Sequence, residues 1–140
     1  MTRLSRIDSA WGVTVVRVMM AFVLIITGYE KLMAGINRVT VAMMKNQIPF
    51  PRVMAGYITA LELIGGVLLL IGLGGRWLGL LYVGEFVVVS FYVLVPIRGW
   101  MDARLPIMLL AGALMLVVAG SGQASMDRVL RRRFYKDSAN

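Results

Sequence analysis

Four apolar runs, each close to the length of a bilayer crossing, decide what this chain can become. A membrane helix takes ~20 mostly apolar residues to cross ~30 Å of hydrocarbon. The runs cover about residues 11–33, 52–73, 77–95 and 103–119. Lipid offers no hydrogen bonds to a bare backbone, so each run must close its own ladder as a helix. The fold class expected is all-α: a four-transmembrane-helix bundle, one integral membrane domain over residues 1–140. A basic tail, 128–140, follows the last run. Composition agrees, with 59% hydrophobic and 16% charged residues. A soluble domain carries about 25% charged residues, and one built from this chain would expose large apolar patches.

The connections are legible. Gly74-Gly75-Arg76 is a tight link, so the second and third runs should be antiparallel neighbours. Pro96 through Arg104 should separate the third and fourth, with Pro106 in the first turn of the fourth helix, where its missing N–H costs nothing. The fourth run is the shortest and is expected to borrow residues from 100 to 104. The long connection 34–51 should hold a short interfacial helix over Val39 to Met44, then a rigid entry at Pro49 and Pro51. The first run is too long for a signal h-region, carries Arg17 and has no small-x-small cleavage site, so it is expected to be retained.

Four crossings put both termini on one side. That side holds Arg3, Arg6, Arg76, Arg128, Arg131, Arg132, Arg133 and Lys136, against Lys31, Arg38, Lys45, Arg52, Arg98 and Arg104 on the other. The positive-inside rule then favours cytoplasmic termini. The net charge of +8 is read the same way, as cations drawn to anionic headgroups, with no nucleic-acid partner. Trp11, Trp77 and Trp100 lie at run ends, as interfacial anchors do.

Cysteine and histidine are both absent, which removes disulfides, thiol nucleophiles and the usual haem and zinc ligands. The eleven methionines read as apolar filler, so no metal site is expected. No covalent cofactor is expected, and any bound group is organic or held by a partner subunit.

Chemistry must then come from ionisable groups inside the runs, which lipid cannot solvate. Away from the ends of the runs there are three: Arg17, Glu62 and Glu85. At ~1.5 Å per residue, both carboxylates fall ~12–14 Å from their entry points, near the midplane. Arg17 lies at a depth close to that of Glu85, so it either pairs with Glu85 or snorkels to the headgroups. At ~100° per residue, Arg17, Gly28 and Lys31 share one face of the first helix, with Glu30 opposite. Thr59, Glu62, Gly65 and Gly66 share a stripe on the second, where the glycines admit a neighbouring helix or a flat ligand. Tyr82, Glu85 and Tyr92 share a stripe on the third. Three readings stand open: the carboxylates lock the bundle, or they line a site for a small amphipathic molecule such as a quinone, or they form a proton or ion path. A buried carboxyl suits proton exchange. Four short helices without a repeat make a poor transporter.

These residues resemble one family. Arg17 early in the first run is followed by Gly28-x-x-Lys31-Leu32, Pro51, Glu62-x-x-Gly65-Gly66 and Gly72-Leu73. The ending Gly120-Ser121-Gly122-Gln123-Ala124-Ser125-Met126-Asp127 is similar to a Gly-Pro-Gly-x-x-Ser-Leu-Asp ending, with Ser121 in place of proline. The chain looks like a member of the DoxX family, small four-helix bacterial membrane proteins. The resemblance makes Arg17, Lys31, Glu62 and Asp127 signature residues. It does not cover Glu85, whose claim rests on its depth alone. Ser125 and Asp127 also have a local reading, as fixing the turn after the fourth helix. Similar proteins are tied to membrane redox work, some resembling the small subunit of thiosulfate:quinone oxidoreductase. The resemblance therefore implies a bacterial inner-membrane subunit of a quinone-linked oxidoreductase or oxidative-stress system, dependent on other membrane or membrane-associated subunits. The alternative is a structural or assembly subunit with no catalysis of its own.

Overall fold

The computed structural model describes the backbone of residues 2–122, 125, 126 and 129, and side chains from residue 11 onward. Among these residues the regular structure is entirely helical. Helix α1 spans Thr2–Ala34 and contains the crossing Trp11–Ala34. Helix α2, Ile36–Lys45, folds back after Gly35, whose φ of 89° breaks the run. Helices α3 (Pro51–Ile71), α4 (Gly75–Arg98) and α5 (Trp100–Ala119) are the other three crossings. The outward faces are Leu, Val, Ile, Phe and Met side chains left bare by the bundle, as lipid requires.

Glycine and alanine decide which helices approach closely. A Cβ at Gly28 would stand 2.7 Å from the Leu63 nitrogen, so the α1 backbone crosses directly over the α3 backbone. A Cβ at Gly79 would meet the Ala113 carbonyl at 3.1 Å, so α4 lies as tightly on α5. Helices α3 and α4, joined by the short glycine link, pack less closely on each other. Large side chains fill the centre between them, with Leu61, Leu69, Leu78, Tyr82 and Phe86 in one buried cluster. Two tight pairs, α1/α3 and α4/α5, thus lean together over a bulkier seam.

Three local expectations change. Pro96 does not end α4, which continues to Arg98. The turns just before it, Val88–Leu94, are π-helical. A proline ring clashes with the carbonyl four residues back, and a wide i→i+5 turn there relieves the clash. Pro106 lies inside α5 rather than in its first turn, because that helix starts at Trp100, taking up all of 100–104. The interfacial helix is longer than Val39 to Met44 and buries only Thr40 and Met43. Trp11, Trp77 and Trp100 are exposed at the starts of crossings, as anchors should be.

Candidate functional site

The site begins with the crossing at Gly28. Its lack of a side chain lets α1 rest on Glu62 and Leu63, and Lys31, one turn further on, reaches over α3. There Lys31 Nζ meets Glu62 Oε2 at 2.6 Å. Glu62 is buried, while the Lys31 side chain is 33% exposed. Glu62 stands inside a second π-helical stretch, Leu61–Gly65. Such turns interrupt the regular ladder and recur at functional sites. At the start of this one, the buried Tyr82 hydroxyl donates to the Leu61 carbonyl at 2.9 Å. Gly65 makes room for that hydroxyl, since a Cβ there would lie 2.5 Å from it. Thr59 shares the buried stripe, but its hydroxyl is spent on the Ala55 carbonyl at 2.8 Å.

Glu85 comes from α4 and lines the same cavity as Glu62 and Lys31. Its Oε2 is buried and makes no hydrogen bond among the described residues; the Ser90 hydroxyl, one turn on, is in the same state. The cavity has a volume of about 510 Å³ and largely apolar walls, with Phe86 and Val89 beside Glu85 and Leu105 and Leu109 opposite. It opens at the end of the bundle where α2 lies, and Arg38 stands in its wall. Phe86 and Tyr82 stack with centroids 6.0 Å apart and planes at 17°, so one edge of the cavity rests on a pair of rings.

Two sequence expectations move. Arg17 neither pairs with Glu85 nor snorkels. It is buried at the opposite end, where Nη1 donates to the Ser121 carbonyl. The turn after α3 and the residues after α5 converge at that depth and claim it first. Tyr92 does not share the Glu85 stripe and is 61% exposed. The π-helical turns delay the helix by about one residue, roughly 100°, so Val93 is buried in its place. Glu30 is exposed, as a residue on the opposite face should be, and it also lines the cavity. Asp127 lies outside the described residues; Ser125 does fix the local turn, with Oγ donating to the Gly122 carbonyl at 3.3 Å.

Sequence reasoning missed Phe86, Thr27 and Arg38 as site residues. Phe86 and Thr27 lie in apolar runs and carry no signal of their own. Arg38 counted only as a loop charge. Its place opposite Glu62 depends on the reversal at Gly35, which a glycine alone does not specify.

A four-crossing bundle with a lysine–glutamate pair and a second buried carboxylate around one internal cavity defines a class of small polytopic membrane protein. The DoxX family model matches residues 12–95, more than half of the chain, and the chain belongs to that family. The match contains Arg17, Gly28, Lys31, Glu62 and Glu85, and ends before α5 and the Gly120–Asp127 stretch. No curated protein and no solved structure is detectably similar to it.

Proposed function

We propose that this DoxX-family protein holds a quinone-like molecule in the Lys31–Glu62–Glu85 cavity. In this reading it is the membrane subunit of a quinone-linked oxidoreductase or oxidative-stress system of the bacterial inner membrane, with cytoplasmic termini. The observation that carries the reading is the unsatisfied Glu85 Oε2 facing an apolar cavity. A buried polar atom without a partner is costly, and a ligand group placed against it removes the cost. The residues suit a quinone head in three ways. Phe86 offers a flat apolar face. Lys31 Nζ can donate to a ring carbonyl while remaining on Glu62. Glu85 can give or take a proton at the other carbonyl. A bound quinone would supply two-electron redox chemistry. This chain's residues would orient the head, exclude water and hold the proton. Without histidine, cysteine or a flavin motif, the electrons come from a partner subunit or from a substrate that reaches the quinone directly.

A structural or assembly role is the second reading. It is favoured by the Lys31–Glu62 pair and the Gly28 contact, which join α1 to α3 without any ligand. Quinone extracted from the gently solubilised protein, with titration of a short-chain benzoquinone, separates the two. About one quinone per chain, lost in Glu85→Gln and Glu62→Gln variants that still melt near wild type, supports the binding reading. No co-extracted quinone and no saturable binding by the folded wild type would leave the structural role.

A further inference from the structure

A second groove adjoins the first cavity, and the carboxylate chemistry does not use it. It has a volume of about 400 Å³ and lies between α2 and the end of α4. Arg38, Lys45 and Arg98 line it, with Val41 and Ile97 as apolar walls. All three cations are exposed. Among the described residues the one ion pair is Lys31–Glu62, so none of the three has a carboxylate partner there. Arg38 and Ala42 belong to both the groove and the carboxylate cavity. The groove sits where α1 and α4 leave the apolar layer, and the exposed Trp100 follows Arg98 by two residues. It is therefore at headgroup depth.

We infer that this groove binds the headgroup of an anionic phospholipid of the surrounding leaflet. Three convergent cations with no carboxylate partner among the described residues fit one phosphodiester with a second anionic or hydroxylic group, and arginine offers paired donors to phosphate oxygens. The apolar flanks Val41 and Ile97 continue into the bare lipid-facing sides of α2 and α4, where acyl chains lie. A soluble anion would use the cations and leave those flanks without purpose. Because Arg38 is common to both hollows, the headgroup also fixes α2 across the mouth of the carboxylate cavity.

The test is native mass spectrometry of the whole protein in detergent, with phosphatidylglycerol or phosphatidylcholine added. Wild type should retain phosphatidylglycerol over phosphatidylcholine. Near an anionic surface each cation contributes about a five-fold factor, so Arg38→Gln/Arg98→Gln should weaken retention roughly thirty-fold. Arg76→Gln, at the other end of the bundle, should change nothing. If the double variant misfolds, Lys45→Gln alone should still show the single-cation loss. Equal retention by wild type and the folded variants overturns the proposal. Displacement of the lipid by millimolar inorganic phosphate also overturns it, in favour of a soluble-anion site.

Discussion

At the end of the bundle nearest the N-terminus, Arg17 donates to the Ser121 carbonyl, and the Gly72 backbone packs against its guanidinium. Gly72 at φ 81° brings the turn so near that a Cβ there would lie 2.8 Å from the Ser125 Cβ. The Gly75 N–H donates to Ser121 Oγ at 3.1 Å, tying the start of α4 to the end of α5. At the opposite end Lys31 also meets a buried partner, yet a cavity remains beside the pair and a carboxylate oxygen lies unsatisfied on its wall. Both ends place one long cation among helices. One gives Nη1 to a backbone carbonyl of the turn that follows α5, which is a fold-closing use. The other leaves polar capacity facing an open volume, which is where a ligand can gain from it. Substitutions should therefore separate the ends: stability loss near Arg17, binding loss near Glu85.

The largest expected effect tests the foundation of the open end. Gly28→Val would drive a branched side chain into the α3 backbone at Leu63, where no flexible atom can yield. Loss of the folded, detergent-soluble protein is expected. Near-native melting would mean that the α1–α3 crossing does not set the position of Lys31. Next comes Arg17→Met, which strands a buried carbonyl and should cost about 2 kcal/mol, read as a lower melting temperature. Quinone binding by the surviving folded fraction should be unchanged. A binding defect at wild-type stability would abolish the division between the two ends.

How much of this was legible in the sequence follows from the same residues. The four crossings were readable because lipid imposes length and apolarity on any spanning helix, and the helix ends lie within about three residues of the expected ones. Rotation alone did not show that Lys31 meets Glu62, but the face of α1 with Gly28 and Lys31 and the stripe of α3 with Glu62 and Gly65 were each readable because regular helical rotation sets them. Tyr92 was misplaced for the same reason, since the rotation is not regular there. A π-helical turn inserts one residue without changing composition, and only Pro96 nearby hints at it. The partner of Arg17 was misread because depth along a helix does not say which neighbour arrives at that depth.

Pairwise coupling sharpens the comparison further. A double-mutant cycle on Lys31→Met and Glu62→Gln should show coupling of about 1 kcal/mol or more in detergent melting, because Lys31→Met leaves the buried Glu62 carboxylate without its partner, a cost that vanishes once Glu62 is replaced by glutamine. The same cycle on Arg17→Met and Glu85→Gln should be additive within about 0.5 kcal/mol, because the two belong to opposite ends. Coupling in the second cycle and none in the first would restore the pairing that depth alone suggests.

The smallest effect concerns Ser121, where this chain departs from the proline of the ending it resembles. Its side chain and its carbonyl are both engaged, by the Gly75 N–H and by Arg17. Ser121→Ala removes only the first of these and should cost about 1 kcal/mol, a melting shift of a few degrees. Ser121→Pro also loses the hydroxyl, but it keeps the carbonyl that accepts from Arg17 and adds a fixed φ in the unfolded chain. If the carbonyl carries the closure, the proline variant should be no less stable than the alanine variant. A proline variant far less stable than alanine would show that the backbone here is incompatible with the proline ring, so that the serine and the turn it stabilises are one device.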